Sequence, residues 1–170
     1  MNTELRRETI LDLLSSATAP ISASALAKEL SVSRQVIVGD VALLRATGSP
    51  IVATPKGYLL ELQKNAFPYI GVLACKHDMA GLKTELYLVV DYGGTIIDVT
   101  VDHVIYGQLS GMLNISSRYD ADIFIEKVSA EGSKPLSNLT EGIHLHRIGC
   151  KDRQTFDIIK EKLVALGIGL

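Results

Sequence analysis

Two histidines stand two residues apart in the stretch Thr140-Glu141-Gly142-Ile143-His144-Leu145-His146-Arg147-Ile148. A strand sends alternate side chains to opposite faces, with about 6.5–7 Å between residues i and i+2. In a strand, His144 and His146 therefore leave one face together, while Ile143, Leu145 and Arg147 leave by the other. Two imidazoles held that close on a rigid backbone can grip one cation. The alternative is a partly exposed strand that happens to carry two histidines. Any further ligands must come from elsewhere in the chain.

The elements that could supply them follow from periodicity. Tyr69 to Cys75 is an apolar run of strand length, and His77 follows it. Asp78 can cap a helix from Met79 to Val90 with Leu82 and Leu86 facing inward. Thr95 to His103 alternates as a strand, with Ile97, Val99 and Val101 on one face, and a partner strand runs from Tyr106 towards Ile115. Arg118 to Ala130 reads as a helix, 135–140 as loop, then the histidine strand. Asp152 caps a closing helix that carries Phe156, Ile159 and Leu163 and stops at Gly167. The order β-α-β-β-α-β-α predicts a ferredoxin-like α/β sandwich with an added helix, in which the first and last strands lie side by side and antiparallel.

That arrangement brings His77, at the end of the first strand, close to His144 at the start of the last. Glu85, two turns into the first helix, falls among apolar positions, and a buried carboxylate needs a cation or a strong donor. His77, Glu85, His144 and His146 then form a set of three nitrogens and one carboxylate, suited to zinc, nickel, iron or manganese. His103 reads as a strand-end or pocket-wall histidine rather than a ligand.

The bulk of the chain is ordinary: 170 residues, 47% hydrophobic and 21% charged, with a net charge of -2 that excludes a generally basic nucleic-acid coat. Tryptophan is absent, so the core must be mainly aliphatic. Cys75 and Cys150 show no Cys-x-x-Cys spacing and read as small buried residues in a reducing compartment. No apolar leader or membrane-length run is present, and the expected location is cytoplasmic.

Residues 1–63 tell a different story. Leu5, Ile10, Leu13, Leu14 and Ala17 mark a helix ending before Pro20; Ser22 caps a short second one from Ala23 to Leu30. Ser31-Val32-Ser33 makes a turn, and Ser33 caps a third helix reaching Ala46. Ile51 to Leu60 reads as two short strands joined at Thr54-Pro55-Lys56-Gly57. A helix-turn-helix followed by such a hairpin is a winged helix, which reads DNA with the polar front of its third helix. Ser33, Arg34 and Gln35, with Arg45 towards the end, are the candidate base readers, and Lys56 at the wing tip would meet phosphate or the minor groove. Gly39 sits mid-helix, where glycine costs about 1 kcal/mol relative to alanine, and it offers no side chain to a groove. Residues 61–68 read as a link.

With these motifs in place the chain resembles a known family. VSRQVIV, DVALLRATG and ATPKGYLL resemble the N-terminal domain of the niacin-responsive transcription repressors of the NiaR type. CKHD, the helix with Glu85, IIDVTVDHVIYG and LTEGIHLHRI resemble their three-histidine (3H) domain. The resemblance implies an α+β protein with a winged helix-turn-helix over 1–63 and a metal- and ligand-binding regulatory domain over 69–170. It implies His77, Glu85, His144 and His146 as metal ligands. It also implies a homodimer on double-stranded operator DNA, repressing genes of NAD synthesis and niacin salvage, with nicotinic acid as co-repressor. The place of Gly39 usually carries a larger polar residue in that family, which puts the operator sequence in doubt. A small metal-dependent hydrolase carrying a helix-turn-helix, and a winged helix that binds protein instead of DNA, are the competing readings.

Overall fold

The computed structural model describes residues 2–61, 67–130, 132 and 134–170. The chain divides into two compact units, Met1–Lys64 and Asn65–Leu170. The link expected over 61–68 falls largely outside the described residues.

The first unit is built from helices α1 (Thr3–Ser16), α2 (Ala23–Glu29) and α3 (Arg34–Ala46), then strands β1 (Ile51–Thr54) and β2 (Gly57–Leu60). Asn2, Ser22 and Ser33 each occupy an N-cap, and each side chain accepts a backbone N–H that the first helical turn would leave unpaired. Ile10, Leu14, Leu26, Ile37, Val41 and Leu44 close an aliphatic core. β1 and β2 pair antiparallel from Ile51↔Leu60 to Thr54↔Gly57, forming the expected hairpin. A backbone exchange between Ile21 and Tyr58, 2.8 Å each way, fastens its second strand to the start of α2. Asp40, buried on the inner side of α3, takes Arg6 Nε at 2.6 Å and Arg7 Nε at 2.9 Å, locking α1 to α3.

The second unit runs β3 (Tyr69–Lys76), α4 (Met79–Asp91), β4 (Thr95–His103), β5 (Gly107–Ile115), α5 (Arg118–Ala130), a 3-10 turn (Leu136–Thr140), β6 (Ile143–Cys150) and α6 (Arg153–Ala165). Its sheet is antiparallel throughout, in the order β3-β6-β4-β5. The first and last strands are therefore neighbours, as expected, with β3 at the edge and β6 inside. The three helices share one core with the sheet through Leu73, Leu86, Val89, Ala121, Ile148, Ile159 and Leu163. Three expectations change. A ferredoxin-like sandwich keeps its first strand inside the sheet and its last at the edge, and here the two places are exchanged, so the four-stranded antiparallel sheet is not ferredoxin-like in order. A β-bulge between Ile96 and Asp98 gives the helix-side core Ile96 in place of Ile97, because one inserted residue resets the alternation of a strand. The segment expected as loop over 135–140 coils into the 3-10 turn.

Candidate metal centre

β6 presents His144 and His146 on its helix-facing side, each 3% exposed. The register pairs Cys75 with His144 and Leu73 with His146, so the end of β3 and the start of β6 share one patch of the core face. His77 leaves β3 at that patch. α4, capped by Asp78 through the N–H groups of Ala80 and Gly81, carries Glu85 onto the sheet between Leu82, Leu86 and Val89. Glu85 is completely buried. The four residues proposed from the sequence are therefore brought together.

The hydrogen bonds of the three imidazoles fix what they offer. His77 Nδ1 donates to the Asp78 carbonyl at 2.7 Å, His144 Nδ1 to the Gly142 carbonyl at 2.8 Å, and His146 Nδ1 to the Asp98 carbonyl at 2.6 Å. A carbonyl can only accept, so each Nδ1 carries the proton. Every Nε2 then points at Glu85: His77 at 2.7 Å from Oε2, His144 at 3.3 Å and His146 at 3.5 Å from Oε1. In neutral rings those three nitrogens present lone pairs towards an anion, an arrangement that calls for a cation among them. Histidine ligands with the far nitrogen tied to a carbonyl are the arrangement in which metal-binding imidazoles are oriented.

Without a metal, protons on the Nε2 atoms would supply the positive charge, and the electrostatics show how strongly the site demands it. Burial alone would push the Glu85 carboxyl up, but His146, His144 and His77 hold it well below the ordinary carboxylate range. Burial would lower His77 and His146, yet the Glu85 charge and hydrogen bonds raise both above the usual imidazole value. The chemistry of the donor set, three imidazole nitrogens and one carboxylate, fits a divalent first-row metal.

Two glycines missed in the sequence make this geometry possible. Gly142 has φ +89°, and a Cβ there would lie 2.4 Å from the His77 carbonyl oxygen. A Cβ on Gly81 would lie 2.6 Å from the His77 Cβ. Both let the chain pass close to His77. The signal in the sequence was the Glu141-Gly142 pair entering the strand, since consecutive left-handed residues (Glu141 has φ +52°) favour glycine. The alternation of strand residues also carried one unread signal: Cys75, two positions before His77, faces the same cluster. Its thiol is pushed up by burial and by the neighbouring Glu85 charge.

Beside the cluster lies a small pocket lined by Glu85, the three histidines, Pro135 and Ser137. Leu82, Leu86, Val99, Leu113, Phe124 and Leu136 supply its apolar walls. His103 takes no part; its Nδ1 accepts the N–H groups of Ile105 and Tyr106 at the end of β4, and its ring stacks on Tyr106.

In the first unit, Arg34 and Gln35 are exposed at the start of α3. Ser33 accepts the Val36 N–H as N-cap. Lys56 occupies the β1–β2 turn, its backbone N–H bonded to Thr54 Oγ1. Arg45 is turned to the hairpin: Nε donates to the Ile51 carbonyl at 2.7 Å and the guanidinium lies over the Tyr58 ring. Its first task is therefore to hold the wing on α3. Among the described residues no helix is long and apolar enough to cross a membrane.

Comparison with known proteins agrees with this architecture. Residues 6–59 match an HTH domain and residues 70–170 match the 3H domain. The probable transcription repressor NiaR of Thermotoga maritima is 40% identical over 162 residues, which cover 95% of this chain and 91% of that protein. The transcription repressor NadR of Bacillus subtilis is 35% identical over 165 residues, 96% of this chain and 92% of that protein. Relatives named as repressors, aligned over 95–96% of this chain, displace the hydrolase reading: the chain is a DNA-binding repressor and not an enzyme. The chain belongs to the family of transcription repressors that join a helix-turn-helix to a 3H domain.

Proposed function

We propose that this repressor controls genes of NAD synthesis and niacin salvage or uptake, and that nicotinic acid is its co-repressor. In this reading residues 1–63 bind operator DNA and residues 69–170 form the regulatory domain. His77, Glu85, His144 and His146 hold a divalent zinc, nickel, iron or manganese ion. The observation that carries the reading is the convergence of three Nε2 atoms on one buried carboxylate at the end of an apolar pocket. The pocket's walls are largely aliphatic and aromatic, with polar groups confined to the cluster and Ser137. An aromatic acid suits it: the ring meets Leu86, Val99 and Phe124, and the carboxylate meets the metal end.

The names of the two relatives, NiaR and NadR, favour the same assignment. DNA reading falls to Ser33, Arg34 and Gln35, with Lys56 on the backbone and Arg45 chiefly bracing the wing. The effector can act only by binding the DNA-competent state more tightly than the other. A homodimer whose recognition helices meet successive major grooves, about 34–36 Å apart, is the state it would favour. The test is binding of the metal-loaded protein to DNA upstream of its genome's NAD-salvage genes, with and without nicotinic acid at fixed salt. Tighter, sequence-specific binding with the ligand is expected; unchanged affinity removes the co-repressor.

A further inference from the structure

The metal reading above accounts for three histidines and a carboxylate but leaves one buried nucleophile beside them. Cys75 is fully buried on β3, two residues before His77 on the same face, and is the direct cross-strand partner of His144. Directly opposed residues in a sheet hold their Cβ atoms about 4.5–5.5 Å apart. Here Cys75 Sγ, a Glu85 carboxylate oxygen and a His144 ring nitrogen all lie within 4.8 Å of one another. Donors bound to one ion at about 2.0–2.3 Å each can be at most about 4.4 Å apart. The sulfur therefore stands within about half an ångström of the separation that a shared ion would allow with Glu85 and His144.

Cys150 provides the contrast. Both thiols are buried in the same core cluster, but Cys150 lies at the far end of the sheet face and pairs with Tyr69 instead of a histidine. Among the described residues it stands in no group of metal-ligating side chains. Two thiols of one fold thus meet different surroundings, and only Cys75 faces a carboxylate and an imidazole.

Resting on that metal reading, we infer that Cys75 is a further donor to the ion, making the centre a mixed sulfur, nitrogen and oxygen site. As the metal–sulfur bond forms, the thiol proton leaves to solvent and no oxidation state changes. A thiolate is a soft ligand, so it shifts preference away from oxygen-seeking manganese or magnesium and towards zinc, cobalt, nickel or iron(II). The sequence set of three nitrogens and one oxygen left that choice open.

Cobalt(II) separates the four-ligand site from the role of Cys75, because its visible ligand-field bands report any inner-sphere site and its near-ultraviolet charge-transfer band reports a thiolate. The full chain is titrated with cobalt(II) as wild type, Cys75→Ser and Cys150→Ser. The wild type and Cys150→Ser are expected to show both features. Cys75→Ser should keep visible bands, shifted, and lose the charge-transfer band. Visible bands without charge transfer in the wild type, or charge transfer that survives Cys75→Ser, overturn the role of Cys75 and leave the four-ligand site standing. No cobalt spectrum in any protein overturns both. Should Cys75→Ser fail to fold, X-ray absorption of the zinc-loaded wild type decides. A sulfur scatterer at about 2.3 Å supports the inference, and shells of nitrogen and oxygen alone defeat it.

Discussion

His77 and Glu85 meet at 2.7 Å although they stand on different elements, one just past a sheet edge strand and the other on the second turn of the helix that follows. The contact closes around Asp78. That residue caps α4 with its side chain and takes the His77 Nδ1 proton on its carbonyl, so one residue sets the helix start and the imidazole direction together. Glu85 is the common partner of all three histidines.

Replacing Glu85 by Gln should remove the anion that the three Nε2 atoms share. Loss of an outer-shell partner typically costs about 10–100-fold in metal affinity, so loss of this ligand should cost more than about 100-fold. Isothermal titration with zinc or nickel measures it; affinity within tenfold of wild type would take Glu85 out of the ligand set.

Gly142→Ala adds a Cβ 2.4 Å from the His77 carbonyl oxygen at a residue with φ +89°. Steric and backbone strain together should cost on the order of 2 kcal/mol, a fall in melting temperature of roughly 10 °C for a domain of this size. Metal affinity should fall with it, since the Gly142 carbonyl orients His144. Gly132→Ala, where a Cβ meets nothing within 4 Å, is the control for positive φ without crowding.

Filling the pocket should separate effector from metal. Val99→Phe puts a ring where Val99 lines the apolar wall, so the variant should still take up metal while its operator affinity no longer responds to nicotinic acid. An unaltered response, in a variant that folds by circular dichroism, would place the effector elsewhere.

Arg34 and Lys56 should fail in different ways. Arg34→Ala removes a base reader and should cost about 1–3 kcal/mol on the cognate site while relaxing sequence preference. Lys56→Ala should weaken binding to all sequences alike and reduce the slope of log K against log salt by about one. Fluorescence anisotropy over a salt series distinguishes them, and equal losses on specific and random DNA for Arg34→Ala would contradict its role.

Acid should loosen the first unit through Asp40. Burial alone would push this carboxyl up, but hydrogen bonds and charge from Arg6 and Arg7 hold it below its ordinary value. Its contribution is fully present above the unfolded carboxyl value of about 3.9 and is lost as pH falls through the lower folded value. Asp40→Asn should destabilise that unit by about 2 kcal/mol near neutral pH. The penalty should shrink below about pH 4. Thermal unfolding of the full chain across pH tests the sign; a penalty that grew with acid would refute it.

How far the sequence reached depended on the range of each interaction. Ser22, Ser33, Asp78 and Asp152 announced their helices because a cap acts within three residues. Alternation placed His144 with His146, and the expected pairing of first and last strands brought His77 to them. The bulge at Ile97, the coiling of 136–140 and the Arg6–Asp40–Arg7 clamp left no periodic trace, since each is settled by a partner more than thirty residues away or by an irregular backbone.

By itself, then, the sequence determined the order of elements in both units and the residue types of the site, through local capping, turn chemistry and the two hydrophobic periods. Only the tertiary structure decided which nitrogen of each imidazole faces inward, because that rests on carbonyls of Asp78, Gly142 and Asp98 drawn from separate segments. It also decided that Cys75 and not Cys150 stands beside Glu85. Both thiols look alike along the chain; strand register, a property of two segments held together, tells them apart.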